Sequence, residues 1–259
     1  MKLKIYQIDA FANKSFEGNP AAVIPLDDWL SDELMQTIAA ENNLSETAYF
    51  VQEDNGYRIR WFTPVHEVDL CGHATLASSF VIFNIFGYEK KEILFKSKSG
   101  ELRVKRKQEW FEMDFPSQPP VKCEIPKEIL GAFSDIPIEC LKSQDYIVVF
   151  ASEQQVSDAS PNYALLSELD LRGVIITAES KEYDFVSRCF APKYGINEDP
   201  VTGSAFTQLM PYWSERKNKN KLFAKQISKR GGEVRCENLG ERILISGKAV
   251  KYMEGTIEI

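Results

Sequence analysis

Histidine is the scarcest potential metal ligand in this chain of 259 residues, which contains only His66 and His73. The two do not have the His-Glu-x-x-His or His-x-x-Glu-His spacing of metalloproteases. The five cysteines are Cys71, Cys123, Cys140, Cys189 and Cys236. They are widely spaced and form no Cys-x-x-Cys pair, so we expect no metal site and no disulfide framework. Free thiols of this kind are typical of a reducing cytosol.

Nucleotide-binding signatures are also missing, because the chain has neither a Gly-x-Gly-x-x-Gly nor a Walker A sequence. No apolar run approaches the ~18–20 residues that a membrane span needs. The first residues alternate between apolar and polar, which predicts a strand and not a signal peptide. The net charge of −7 argues against a nucleic-acid partner, since phosphate binding depends on clustered Lys and Arg. We therefore expect a cytoplasmic protein with no membrane and no nucleic-acid partner, and we expect no cofactor.

The composition, 44% hydrophobic and 27% charged, is that of a globular protein with a large core. At ~100–150 residues per domain, the length fits two lobes. The proline-rich segment 116–126 is the natural linker between them. We predict an N-terminal lobe over 1–115 and a C-terminal lobe over 116–250. The run 251–259 predicts a last strand that either lobe could contain, and in our assignment it completes the N-terminal lobe.

Two stretches of the chain carry the same order of features. The strand-like segment 58–64 ends in proline and is followed by acids, a glycine turn and a helical run over 75–86. The segment 185–192 also ends in proline, and acids, a glycine turn at 202–205 and a helical run follow it. This parallel order indicates an internal repeat.

Three matched pairs support the repeat, because each is separated by 131 residues: Glu67 and Glu198, Gly72 and Gly203, and Ser97 and Ser228. Coincidence among Gly- and Ser-rich loops is the alternative. The repeat predicts an α+β fold of two lobes related by a pseudo-two-fold axis, each a curved β-sheet wrapped around a central helix. The alternating patterns predict strands at 102–115, 146–150, 174–177 and 243–246, and helices at 32–42 and 76–86.

The repeated turn suggests a ligand site. Gly72 and Gly203 each precede a helix, and a helix start leaves backbone N–H groups unpaired and carries a partial positive charge. Glycine also lets a ligand approach the backbone closely. Two such starts facing one cleft between the lobes could hold a carboxylate. Ordinary helix capping is the alternative interpretation.

Candidate acid–base groups lie near these turns. His73 is at a helix start, whose dipole disfavours the imidazolium form, so we expect a neutral hydrogen-bond partner or a structural role. Asp199 precedes the second turn and could simply cap it. Glu46 follows the first helix at the edge of an apolar strand, where partial burial would suit a carboxylate to proton transfer. Composition alone does not single out Glu46 from the 38 acids.

Taken together, these segments resemble the phenazine-biosynthesis PhzF-like isomerase family. The matching motifs are Gly-Asn-Pro-Ala-Ala-Val at 18–23, Asn-Leu-Ser-Glu-Thr at 43–47, Cys-Gly-His-Ala-Thr at 71–75 and Asp-Pro-Val-Thr-Gly-Ser-Ala at 199–205. The resemblance extends over essentially the whole chain, and the last two motifs are specific. It implies a diaminopimelate-epimerase-like fold and a homodimer.

The resemblance also implies the chemistry. Glu46 would shuttle a proton between carbons of a small carboxylate substrate without a cofactor, assisted by His73 and Asp199. The residues that it assigns to substrate binding are Asn19, Gly72, Gly203 and Ser204. We therefore predict a cofactor-independent isomerase. Phe206 stands where many members have a histidine, a departure that bears on which substrate fits.

Two alternatives remain open. A two-thiol epimerase of the same fold would use one cysteine from each half, and Cys71 has the first position, but its repeat partner is Thr202. A threonine hydroxyl is far too weak an acid for that role, so we expect Cys71 to be a small buried residue. A non-catalytic member that binds a metabolite or a protein is the other alternative.

Overall fold

The computed structural model describes residues 1–259. Its strands are β1 (Lys2–Ala10), β2 (Asn19–Leu26), β3 (Glu46–Glu53), β4 (Gly56–Phe62), β5 (Glu67–Val68), β6 (Glu92–Ser97), β7 (Gly100–Lys107), β8 (Trp110–Pro116), β9 (Val121–Lys122), β10 (Glu139–Lys142), β11 (Tyr146–Val149), β12 (Val174–Glu179), β13 (Phe185–Ala191), β14 (Ile196–Asp199), β15 (Lys221–Gln226), β16 (Gly232–Asn238), β17 (Arg242–Gly247) and β18 (Ala249–Glu258). Its α-helices are α1 (Asp32–Asn42), α2 (Gly72–Phe80), α3 (Lys127–Ala132), α4 (Glu153–Asp158), α5 (Tyr163–Ser167) and α6 (Ala205–Lys217). None of the helices is both long and apolar enough to span a lipid bilayer.

The chain divides into two compact units. Unit 1 consists of residues 1–114 and 246–259, and unit 2 consists of residues 115–245. The C-terminal strand β18 belongs to unit 1, where it pairs antiparallel with β1, so that Lys2 faces Glu258. The two ends of the chain therefore lie side by side in one sheet.

The sheet of unit 1 runs in the order β18, β1, β2, β3, β4, β6, β7. Two of its pairings are parallel, β2 with β3 and β4 with β6. Helix α1 connects the first parallel pair and α2 lies between the strands of the second. A parallel pair needs such a crossover, whereas a hairpin suffices for an antiparallel one.

The sheet of unit 2 repeats this pattern with β10, β11, β12, β13, β15 and β16. Its parallel pairings are β11 with β12 and β13 with β15, and these occupy the same places in the order as those of unit 1. Helix α6 takes the place of α2. The predicted repeat is thus visible as one strand topology that occurs twice.

The same ion pair also occurs once in each unit. Arg60 donates from Nε to Glu67 Oε1 at 2.7 Å, and Arg188 donates from Nε to Glu198 Oε1 at 2.7 Å. Each guanidinium also lies over a phenylalanine ring, with 5.1 Å to the centroid in both cases. The matched acids of the repeat, Glu67 and Glu198, therefore have the same structural task.

Helix α2 is the buried central helix of unit 1. Residues 73–79 are all buried, which is typical of a core helix and not of a surface helix. Its hydroxyls are satisfied by the preceding turn, since Ser78 Oγ donates to Ala74 O at 2.8 Å and Ser79 Oγ donates to Thr75 O at 2.8 Å. The helix can therefore lie in an apolar core with polar side chains. It continues as a π-helical turn over Val81–Ile85.

Most predicted elements are present. Helix 32–42 is confirmed as α1, with Ser31 Oγ accepting a hydrogen bond from Leu34 N at 3.3 Å and left-handed Asn43 ending it. The prediction of one strand over 102–115 was wrong, because Gln108 adopts a positive φ of 59° and turns the chain between β7 and β8. The segment 116–126, predicted as a linker, contributes the short strand β9, which pairs with β10.

Candidate active site

Glu46 is the first residue of β3, directly after the turn that follows α1. Its position is set by the parallel register of β2 and β3, in which Glu46 faces Ala21. The Glu46 side chain is 14% exposed. The carboxylate is therefore largely removed from water.

Asn19 begins the neighbouring strand β2 and is fully buried. The preceding Gly18 has a φ of +66°, and a Cβ at this position would lie 2.1 Å from Ala10 O, so only glycine fits this approach. Ser45 Oγ donates to Asn19 Oδ1 at 3.3 Å, and Asn19 Nδ2 lies 3.4 Å from His73 Nδ1. Asn19 thus connects β2, the start of β3 and the start of α2.

His73 and Cys71 complete the cluster at the start of α2. Cys71 is the N-cap residue, with an extended backbone and no side-chain capping bond. Its Sγ lies 3.5 Å from His73 Nδ1, and His73 Nε2 lies 3.1 Å from Glu46 Oε2. This last contact is close but is not aligned as a hydrogen bond, and neither atom has another hydrogen-bond partner in the structure. Both of these buried polar atoms therefore lack an aligned hydrogen bond, which is uncommon for buried polar groups.

The charges in this cluster are strongly coupled. Burial alone would lower the pKa of His73, but Cys71 and Glu46 raise it well above its ordinary value of 6.5. Burial, and next the charge of Glu46, raise the pKa of the Cys71 thiol. This direction runs against the expectation of a neutral His73, and the charges of Cys71 and then of Glu46 are its causes. The cluster therefore consists of three side chains whose charges depend on one another.

The remaining candidates lie in unit 2, at the start of α6. Asp199 ends β14 and its Oδ2 accepts a hydrogen bond from Thr202 Oγ1 at 2.5 Å. Gln226 Nε2 donates to Asp199 O at 2.7 Å, while Gln226 Oε1 accepts from Thr202 N at 2.9 Å. Ser204 is the N-cap residue of α6, with Gly203 directly before it. The structure thus brings these three predicted residues together within one unit.

A buried ion pair supports the turn at 202–204. Asp145 is 1% exposed and accepts from Arg172 Nε at 2.9 Å and from Arg172 Nη2 at 2.5 Å. Gln208 Nε2 donates to the same carboxylate at 2.6 Å. Arg172 Nη2 also donates to Ser204 Oγ at 3.1 Å. Because that oxygen accepts from Arg172, the Ser204 hydroxyl keeps its own hydrogen for another acceptor.

Sequence reasoning missed several of these residues. Cys71, expected as a passive buried residue, is buried but contacts His73. Asp145 and Arg172 were not singled out, although an acid directly before the buried run 146–149 is a recognisable signal for a paired carboxylate. The two-thiol alternative would need a second cysteine at Thr202, whose hydroxyl instead donates to Asp199.

A family model described as phenazine biosynthesis-like protein (PhzC-PhzF) matches residues 8–255. The chain belongs to this family. An uncharacterized isomerase of Pseudomonas aeruginosa is 50% identical over 259 residues, which cover 100% of both chains. With this similarity over the full length, the present member of the phenazine biosynthesis-like family is an isomerase-type enzyme.

Solved structures agree with the fold. A phenazine biosynthesis protein of the PhzF family from Enterococcus faecalis superposes with a TM-score of 0.98 at 45% identity, covering 100% of both chains. A hydroxyproline epimerase from Agrobacterium vitis has a TM-score of 0.66 at 8% identity, covering 99% of this chain and 92% of that one. The second likeness shows the fold alone. The predicted α+β, epimerase-like fold class of this phenazine biosynthesis-like protein is confirmed.

Proposed function

We propose that this isomerase moves a proton from one carbon to another on a small carboxylate-bearing metabolite, without a cofactor, and that Glu46 carries the proton. The observation that carries the proposal is the contact of Glu46 with His73, in which a largely buried carboxylate lies 3.1 Å from an imidazole nitrogen and has no aligned hydrogen bond. A largely buried carboxylate beside an imidazole can act as an acid–base group toward a bound molecule.

The start of α2 supports the binding of an anionic substrate. Gly72 and His73 are its first residues, and the first N–H groups of a helix lack intrahelical partners and attract negative charge. The raised pKa of His73 favours a positive charge at the same place. We propose that these groups hold the substrate carboxylate and stabilise the charge that develops during proton removal.

The reaction is balanced without a further reactant. Glu46 removes a proton from a carbon made acidic by a neighbouring unsaturated or carboxyl group, and the electron pair left behind delocalises onto that group. The protonated Glu46 then returns the proton to a different carbon, so the double bond moves and the composition of the molecule is unchanged. Glu46 is regenerated as a carboxylate.

Further parts of the proposal rest on the family resemblance. These are the assistance of Asp199, the substrate contacts of Asn19, Gly203 and Ser204, and a homodimeric assembly. In unit 2, the hydroxyl hydrogen that Ser204 retains supports a role as a donor to a substrate oxygen. A cytoplasmic location fits the five free cysteines.

Solvent-deuterium exchange tests the role of Glu46. A panel of small unsaturated and cyclic carboxylates is incubated with the protein in deuterium oxide, and deuterium incorporation is followed by NMR and mass spectrometry. We expect Glu46→Gln to lower exchange by at least about 100-fold, because a positioned acid–base contributes roughly 10²–10⁴-fold. Binding of the same compound, measured by calorimetry, should stay close to that of the wild type.

Glu53→Gln is the matched control, because Glu53 is the last residue of the same strand and forms ion pairs with Arg58 and Lys96. We expect it to exchange like the wild type. Full exchange by Glu46→Gln would overturn the assignment of the base. The non-catalytic alternative is supported if the wild type exchanges no compound of the panel and a protein partner copurifies and raises its melting temperature.

A further inference from the structure

Three side chains with metal-ligating atoms converge at the start of α2. A carboxylate oxygen of Glu46, the sulfur of Cys71 and a ring nitrogen of His73 all lie within 4.8 Å of one another. Zinc bonds of ~2.0–2.3 Å in a tetrahedron place neighbouring ligand atoms roughly 3.3–3.8 Å apart. Cys71 Sγ lies beside Nδ1 of His73 and Glu46 Oε2 lies beside Nε2, so binding of all three residues to one metal ion requires rotation of the Cys71 side chain or of the His73 ring.

The ligand set matches a thiophilic divalent ion. A cysteine thiolate and a glutamate carboxylate supply two negative charges, and a neutral imidazole completes the set, so a divalent cation gives a complex without net charge. Charge balance matters here because Cys71 and His73 are 7% and 6% exposed, and an unbalanced charge is costly when buried. Sulfur and imidazole ligands select zinc-like ions over Mg²⁺ and Ca²⁺, which take oxygen ligands.

The local hydrogen bonding leaves these ligands available. Glu46 Oε2 and His73 Nε2 have no aligned hydrogen-bond partner, and Cys71 makes no capping bond to α2. A metal ion would thus replace weak contacts and the proton of the thiol, not a network of strong bonds. The partial positive charge of the helix start opposes a cation, but the two anionic ligands outweigh it.

We propose that Glu46, Cys71 and His73 form a binding site for one thiophilic divalent metal ion, and that the bound metal shuts off the acid–base function of Glu46. The fourth position of the metal would be open to water or a substrate oxygen, as it is in sites with three protein ligands. The inhibitory part rests on the proposed function of Glu46, whereas the binding part does not.

A second pair of thiols must be distinguished from this site. Cys123 Sγ and Cys140 Sγ lie 3.7 Å apart in unit 2, and Cys123 N donates to Cys140 O at 3.0 Å. Two thiols this close could also bind zinc. The variant Cys123→Ala therefore serves as the matched control for Cys71→Ala, since each change removes one thiol.

Zinc binding to the full-length wild type is measured by calorimetry with Zn²⁺ alone, and cobalt and cadmium serve as spectroscopic probes. We expect one zinc per chain, a thiolate-to-cobalt charge-transfer band, and a cadmium NMR shift that corresponds to a single sulfur ligand. Cys71→Ala, His73→Gln and Glu46→Gln should each lower zinc affinity by at least about ten-fold, since loss of an outer-shell partner alone costs 10–100-fold. Cys123→Ala should bind zinc like the wild type.

The binding proposal is overturned if zinc does not bind, if Cys71→Ala retains wild-type affinity, if Cys123→Ala loses it, or if cadmium reports two sulfur ligands. The cadmium spectrum is recorded on the wild type, so this result stands even where a variant fails to fold. In the exchange assay, zinc should abolish turnover and a chelator should restore it. Continued exchange with zinc bound overturns the inhibitory part alone. A wild type that never exchanges overturns the proposed function together with the inhibitory part, and leaves the binding part to the calorimetry.

Discussion

The starts of α2 and α6 are equivalent places that carry different chemistry. In unit 1, β3 and β4 pair so that Thr47 faces Phe62, and in unit 2, β12 and β13 pair so that Val174 faces Phe190. Both phenylalanines stand two residues before a proline. The register therefore makes Glu46 of unit 1 the counterpart of Gly173 in unit 2.

Backbone crowding explains why unit 2 has no carboxylate at that place. A Cβ on Gly173 would lie 2.5 Å from Phe190 O, closer than any real contact. The preceding residue, Arg172, corresponds to Ser45 and brings a guanidinium to the turn instead. One topology thus presents a carboxylate in one unit and a paired guanidinium in the other.

The two places also differ in how well their polar groups are satisfied. In unit 2, Asp145, Arg172, Gln208 and Ser204 bond to one another. In unit 1, Glu46 and His73 face each other without an aligned hydrogen bond. Unsatisfied buried groups and shifted pKa values concentrate at functional sites. The helix start of unit 1 therefore has the features expected of the proposed reactive site, whereas that of unit 2 is a bonded polar network.

The largest expected effect on stability is at the framework of unit 2. Asp145→Asn places an amide against the donors of Arg172 and Gln208 and leaves the guanidinium without its counter-ion. We expect the free energy of unfolding to fall by about 3 kcal/mol, at the lower end for a broken buried pair, because the Arg172 side chain is 37% exposed and can be rehydrated. Asn19→Ala, which removes an amide that bonds to Ser45 and contacts His73 in unit 1, should cost about 1 kcal/mol. Urea denaturation followed by circular dichroism measures the unfolding free energy of both variants. Equal losses in the two variants would contradict the contrast drawn between the two units.

A smaller effect tests the equivalence of the repeated ion pairs. Glu67→Gln and Glu198→Gln each break a bidentate bond to arginine, with the acids 15% and 20% exposed. We expect each to cost about 1–2 kcal/mol, as hydrogen bonds to charged groups do. The double variant should lose the sum within ~0.5 kcal/mol, since the pairs lie in separate units. A large effect in one unit and none in the other would show that the resemblance of the two pairs is only geometric.

The smallest effect concerns the pH dependence that His73 gives to unit 1. The pKa of His73 is raised in the folded protein above its value of about 6.5 in the unfolded chain. The protonated side chain therefore contributes its full stabilisation at pH values below the unfolded pKa, and this stabilisation is lost as the pH rises through the folded pKa. The unfolding free energy should fall over this window by at most ~1.4 kcal/mol per pH unit. His73→Gln should remove this slope, while His66→Gln, at an exposed position, should keep it. A slope that survives His73→Gln would show that another group titrates.

Local patterns in the sequence predicted the elements with clear start and stop signals. Helix α1 begins after Ser31 and ends at Asn43, as the capping preferences of these residues predict. Capping can be predicted from sequence because its hydrogen bonds join residues only a few positions apart. The turn at Gln108 carried no such signal, and so one long strand was predicted there. The choice of Glu46 among many acids came from the family resemblance, since partial burial depends on contacts that spacing does not show.

The contrast between the units could not be predicted in the same way. Asp145 and Arg172 lie far apart in the chain and meet only because β11 and β12 run parallel. The proximity of Cys71 to His73 follows from the extended backbone of Cys71 at the helix start. The residues around Cys71 in the sequence do not distinguish it from an ordinary core cysteine. Side-chain orientation at such turns is set by packing from several elements.

The sequence by itself determined the repeat and the family, and with them the candidates Glu46, His73 and Asp199, because these depend on residue identity and on spacing along one chain. The tertiary structure alone decided that Glu46 faces His73, that Cys71 joins them, and that Gly173 excludes a second carboxylate. The physical reason is that these contacts depend on strand register and on the approach of backbone from distant segments. Both are properties of the packed sheet and helix, and local propensity does not encode them.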